Sequence, residues 1–381
     1  MHAIRPNPLA ALSILVPLML GAPYAARAAE GVLEINQACA VNSGCFPGDA
    51  PGYPVTIDAS AGAQSFRLTG DLIVPSPSTD GIVVSINDAS IDLGGFTILG
   101  QSCVGVTVDC TPASTSTGDG IDVDGVVFGL SVSNGQVVGM GRHGVNVGTQ
   151  ARVERLTARW NASIGINAGF NALVLDSNVY QNGGTGIAVS TSSSVQRTNA
   201  SENGNIGIST ASGATVQDCT LRANLNAGIN GGVYNTISGN TVTDTGDGGA
   251  ADDGINAGDG SIVFDNTVRN SSAIGIDCGD GCTISRNTAF FNLSDGIQCD
   301  NGCTIQENSA YDNGDAAGDD GIQCSQGCNI RANTVYQSVG EGLNLSFETG
   351  YSGNVLANNV GGNVSGGVNL GGNLCDAAIC P

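Results

Sequence analysis

The sequence predicts an all-β fold: a single-stranded right-handed parallel β-helix of about a dozen coils, with disulfide-bonded N- and C-terminal caps. Three observations predict it. A Gly followed by Ile, Val or Leu recurs at Gly144, Gly165, Gly186, Gly207, Gly228, Gly254, Gly275, Gly296, Gly321, Gly342 and Gly367, mostly 21 residues apart. Within a repeat the pattern has period 2, as in Gly275-Ile276-Asp277-Cys278, then Thr283-Ile284, then Asn287-Thr288-Ala289. No stretch beyond residue 28 carries helical periodicity. About twenty residues cannot close a hydrophobic unit alone, but coils stacked at ~4.8 Å can.

The elements follow in chain order. Arg5, the apolar run Leu9 to Leu20 and Ala26-Arg27-Ala28 read as a signal peptide over 1–28. The chain is therefore expected to be exported, to the periplasm or the cell exterior. No later stretch is long and apolar enough to span a bilayer. Residues 29–65 hold Cys39, Cys45 and the turn-rich segment Pro47 to Pro54, and are expected to cap the first coil. The solenoid is expected over 66–372. Residues 373–381, with Cys375 and Cys380, are expected to seal the far end, since open ends pair edge to edge.

Thirteen Cys fall into close pairs: Cys39/Cys45, Cys103/Cys110, Cys278/Cys282, Cys299/Cys303, Cys324/Cys328 and Cys375/Cys380. Cys219 is left over and is expected as a buried free thiol. Export favours disulfides, with a six-thiolate metal column as the rival reading. Two Asn rows are expected to stack. One holds Asn240, Asn266, Asn287, Asn308, Asn333 and Asn358, the other Asn161, Asn182, Asn203, Asn224, Asn292, Asn313 and Asn363. Stacked amides satisfy one another at strand ends, so both rows are structural.

The Gly-Ile spacing, the Asn-Thr-Val steps and the opening Ile91-Asp92-Leu93-Gly94-Gly95-Phe96-Thr97-Ile98 resemble the parallel β-helix repeat family, the pectate-lyase-like and NosD-like superfamily. The resemblance implies the fold over 66–372. Its members include polysaccharide lyases, hydrolases and epimerases, so it implies no single chemistry. Asp319-Asp320-Gly321-Ile322 resembles the paired-Asp step of polygalacturonase-type hydrolases. However, Arg142-His143-Gly144 lies upstream where that family has its His-Gly downstream. The Arg-Ile-Lys step and the Asp-Pro-His-Asp step of alginate epimerases are absent.

Composition narrows function further. The formal net charge is −22, with 12 Arg, no Lys and two His. Nucleic acid and anionic membrane surfaces would be repelled, and lysine chemistry is excluded. His143, in a turn, is expected to be exposed.

The residue after each inward Ile should point outward. That row reads Asn146, Asn167, Ala188, Ser209, Asn230, Asn256, Asp277, Gln298, Gln323, Asn344 and Asn369, a file suited to hydroxyl-rich ligands. The residue before the Gly is Asp253, Asp295, Asp320 or Glu341 in four coils. The insertions Asp244 to Asp253 and Asp312 to Asp320 are expected to overhang the Asp277 face, so that Asp252-Asp253, Asp277, Asp295 and Asp319-Asp320 surround one cleft. Asp253, Asp277, Asp295 and Asp320 are the candidate catalytic residues, as a glycoside-hydrolysing carboxyl pair. Asn256, Gln298, Gln323 and Asn344 are candidate ligand-binding residues, with Phe290, Tyr311 and Tyr336 on another face. Asp295, Asp319, Asp320 and Glu341 are candidate Ca²⁺ ligands; no cofactor is otherwise required. Solvated turns remain the plain reading of the same acids. Two functions follow. The first is a non-catalytic protein binding a polysaccharide or an envelope component. The second is a polysaccharide-active enzyme using the acidic cleft. The first leads because no complete catalytic constellation can be assembled.

Overall fold

The computed structural model describes residues 31–105, 116–247 and 252–380. The expected signal peptide, 1–28, and Cys110 lie outside them. Each coil contributes three short strands, and each strand pairs in parallel with its equivalent in the next coil, so three sheets run along the solenoid. The front sheet carries the Gly-Ile steps; Ile255, Ile276, Ile297, Ile322 and Leu343 stack in register within it. The second sheet follows with residues such as Thr283–Ser285, and the third with Thr288–Phe290. The inward aliphatic side chains of all three sheets fill one continuous buried core.

There are about fourteen turns, more than the dozen expected. The excess lies partly at the N-terminal end, where Leu33–Ile35 already pairs with Phe66 to Leu68, and Val55–Ile57 with Ile82–Val84. Between them sits a short helix, Gln37–Asn42, capped by the Asn36 side chain and tied by the Cys39–Cys45 bridge. Six residues are too few for a periodicity to be read.

The repeat Gly is explained by close approach rather than by an unusual backbone angle. A Cβ on Gly275 would lie 2.6 Å from the carbonyl oxygen of Gly296 and 2.5 Å from Asn292 Nδ2. The turns use a different device. One residue per coil takes positive φ between the second and third sheets, among them Asp176, Arg197, Asp265, Arg286 and Glu307. A second does so after the third sheet, among them Gln181, Glu202, Phe291 and Asp312. The residue after most such turns is a buried amide, hydroxyl or thiol, with Leu156 an apolar exception, and these residues form the two rows.

In the first row the Asn287 side-chain oxygen accepts from the backbone N–H of Asn266 at 2.9 Å and from its Nδ2 at 3.0 Å. Asn287 repeats both bonds with Asn308, and its Nδ2 also donates to the Val263 carbonyl at 2.9 Å. The row ends on Asn354 and Asn373, not on Asn358. The second row likewise passes from Ser338 to Asn359, where spacing suggested Asn363. Both corrections have one origin. Leu343 pairs with Val364, so the terminal repeat mark is Asn363-Val364 and not Gly367, and its outward residue is Ser365 rather than Asn369.

Five disulfides occur among the described residues, pairing Cys39–Cys45, Cys278–Cys282, Cys299–Cys303, Cys324–Cys328 and Cys375–Cys380. Three of them stack on consecutive coils. Cys219 is a buried free thiol, and burial pushes its pKa up to about 11. The bridges fit an oxidising compartment. No helix among the described residues is long and apolar enough to cross a membrane.

Candidate functional site

The front sheet presents its outward row in strict register. Asn256 stands beside Asp277, then Gln298, Gln323 and Asn344, one per coil and all half-buried. Asn256 Nδ2 donates to both Asp253 (3.1 Å) and Asp277 (3.2 Å). At the other end, Asn344 Nδ2 donates to Asp320 at 2.7 Å. The four candidate acids are therefore brought to one stretch of one face.

Three of the four are buried beside the row rather than open to solvent. Asp253, Asp295 and Asp320 are at most 4% exposed. Each uses one carboxylate oxygen to accept a backbone N–H of the next coil: Ile274 for Asp253, Asp320 for Asp295 and Glu341 for Asp320. An acid before the repeat Gly thus caps the turn above it, which explains why the residue type recurs there. Asp277 stands apart, half-exposed on the outward row itself.

Burial dominates the electrostatics. It pushes Asp277 up to about 6, with Asp253 and Asp300 adding to the rise. It pushes Asp295 up to about 7, helped by Asp320, Asp319 and Asp277. Asp253 is raised by burial, and Asp320 by burial and its bond to Glu341. The folded state therefore prefers these groups protonated. Their stabilising contribution is full below the ordinary carboxyl range near pH 4 and is lost as pH rises through about 6 to 7. Thermal unfolding is expected to give a higher Tm at pH 5 than at pH 8, and Asp295→Asn, which keeps the acceptor for Asp320, should flatten that slope. An unchanged slope in the variant would remove Asp295 as its source.

The insertion acids serve their own loops. Asp252 accepts from Asp247 N–H and Ser272 Oγ. Asp319 accepts from the N–H groups of Asp315 and Ala316. Among the described residues, no three of Asp295, Asp319, Asp320 and Glu341 bring one carboxylate oxygen each within 4.8 Å of one another.

A second cluster on the same face was not read from the sequence. Asp80, Asp119 and Asp122 bring their carboxylates within 4.8 Å of one another. Arg142 supplies the cation: its Nε donates to the fully buried Asp119 at 2.8 Å, and its Nη2 lies 3.6 Å from Asp122. His143 is half-buried, contrary to the expectation of an exposed ring, and its Nδ1 accepts from the Ile164 N–H at 3.2 Å. Burial and Arg142 push its pKa down to about 4, so the ring is neutral at pH 7 with its proton on Nε2. The signal was the pre-Gly position again, since Asp80, Asp119 and His143 precede Gly81, Gly120 and Gly144. Irregular spacing upstream of Gly144 hid the series.

The aromatic residues form their own group on the third sheet. Phe290 and Tyr311 stack with centroids 4.8 Å apart and planes at 7°, and Tyr336 follows in register. Phe291 packs edge-on against both rings and lines a cavity of about 370 Å³ with Asp244, Asn270 and Ser272. The front-sheet acids and these rings are not brought together.

No protein-family profile and no curated protein sequence matches the chain. Among solved structures, it is similar to the A-module of the mannuronan C-5 epimerase AlgE6 of Azotobacter vinelandii, at 13% identity and a TM-score of 0.49 over 84% of this chain and 92% of that one. It is also similar to PfbA, a surface adhesin of Streptococcus pneumoniae, at 12% identity and a TM-score of 0.45 over 80% and 84%. At such identities the likeness is one of fold alone.

Proposed function

We propose that this is an exported glycan-binding protein that lays an uncharged, hydroxyl-rich polysaccharide along the front sheet. One observation carries the reading. The unbroken outward row Asn256, Asp277, Gln298, Gln323 and Asn344 offers a donor or acceptor at every coil, ~4.8 Å apart. The net charge of −22 disfavours polyanions. The disulfides support export. The same row would serve a hydroxyl-bearing envelope component.

A panel of neutral and acidic polysaccharides, with and without Ca²⁺, tests the reading. A neutral glycan is expected to bind, and Gln298→Ala with Gln323→Ala should weaken it by on the order of tenfold or more. Full affinity in the double variant would refute the row as the binding surface.

A second reading, hydrolysis by a carboxyl pair, is favoured by one feature: Asp277 and Asp295 lie on adjacent coils, pushed up to about 6 and about 7. It predicts shortened glycan products from the wild-type chain, and loss of turnover with binding retained in Asp277→Asn. An undegraded bound glycan favours the first reading.

A further inference from the structure

The third sheet holds a feature that neither reading uses. Gly100 is followed by a 3₁₀ turn, Gln101–Cys103, and Cys103 packs with Leu99, Val138 and Trp160 in a small apolar cluster separate from the main core. Beside this cluster lies a cavity of about 290 Å³ lined by Asp71, Thr97, Gln136 and Arg159, among others.

Arg159 is the unusual member. Seven of the ten Arg side chains among the described residues form ion pairs with Asp or Glu; Arg159, Arg269 and Arg331 do not, and of these three only Arg159 has a buried nitrogen without a hydrogen-bond partner. Its Nε is buried and without a hydrogen-bond partner. Its guanidinium lies over the Trp160 ring, 4.2 Å from the centroid, and 6.0 Å from that of Tyr180. Trp160 is itself fixed: it is 5% exposed, and its Nε1 donates to Gln181 at 3.0 Å. Stacking holds a guanidinium by its face and leaves its edge donors to a planar anion. In a chain of net charge −22, a guanidinium with a buried, unpartnered nitrogen is chemically conspicuous. The neighbouring groups have the opposite character, because the Asp71 carboxylate, the Gln136 carbonyl and the Thr97 hydroxyl accept hydrogen bonds.

We propose that this cavity binds a small hydroxy-carboxylate. The ligand's carboxylate would meet Arg159, and its hydroxyls would meet Asp71, Thr97 and Gln136. The cavity has room for about one sugar ring, so a sugar acid is one source of this chemistry and a simple organic carboxylate is the other. The inference is independent of the front-sheet reading, since none of its residues belongs to that row.

Trp160 is the sole tryptophan of the chain, so its fluorescence reports on this site alone. Glucuronate titrated into the purified chain is expected to change that fluorescence saturably, while glucose is not. Acetate separates the two sources: a response at similar concentration assigns simple carboxylates, and silence assigns the sugar acid. Arg159→Gln should raise the glucuronate Kd on the order of tenfold or more. If that variant does not fold, hydrogen exchange on the unmodified chain serves instead, and glucuronate should slow exchange at 97–103 and 157–160. Absence of any saturable carboxylate response, an equal response to glucose, or an undiminished response in folded Arg159→Gln would each overturn the proposal.

Discussion

Asn287→Ala is expected to destabilise the chain by on the order of 4 kcal/mol. The side chain does more than fill space. Its removal strips the acceptor from both the backbone N–H and the Nδ2 of Asn266, and the donor from the Val263 carbonyl. All of these groups lie at a buried strand end, where each unsatisfied one costs about 1–3 kcal/mol. Water cannot readily replace an amide that bonds upward and downward at once, because the neighbouring coils close the column. The same change in the exposed Asn178, which only accepts from Asn199 at 3.0 Å, should cost well under 1 kcal/mol. Denaturant unfolding of the two variants decides the matter. Equal, small losses would mean that the row is incidental.

Gly321→Val is expected to cost on the order of 3 kcal/mol or to prevent folding. A Cβ there would lie 2.1 Å from Val335 Cγ1 and 2.8 Å from both the Gly342 carbonyl oxygen and Ser338 Oγ. The Val335 methyl can turn aside, but the backbone oxygen belongs to the next coil and cannot. Gly302→Ala makes the contrast. Nothing lies within 4 Å of its Cβ, and only its φ of +70° resists substitution, so about 1 kcal/mol is expected. A mild Gly321→Val phenotype would place the two coils farther apart than the packing requires.

These two residues also explain what was legible in the sequence. Gly recurs because each coil must let the carbonyl of the next approach, so its spacing reports stacking directly. That holds as far as Gly342, whose Cβ would meet the carbonyl oxygen of Asn363 at 2.8 Å. Asn363 carries no Gly because no following coil crowds it. The spacing rule then slipped to Gly367 and took the ends of both Asn rows with it. The candidate acids were legible as a column but not as turn caps. Period-2 patterning says which side chains face outward, yet it is silent on which backbone N–H a carboxylate will meet. The Asp80, Asp119 and Arg142 cluster escaped for a similar reason, since coils of uneven length hide a shared position. Arg159 could not have been singled out at all, because its lack of a partner is a fact of three dimensions.

The continuous outward row underlies the proposed glycan binding on the front sheet, and a single distance tests it. Asn167 and Gln323 are 156 residues apart in sequence but seven register steps apart along the front sheet. Spin labels on Asn167→Cys and Gln323→Cys, in a Cys219→Ser background that copies the Ser177 of the same column, should give one narrow interspin distance of roughly 34 Å. A broad distribution, or a distance far from that figure, would mean that the coils do not stack as one unbroken file, and the glycan-binding face would not exist.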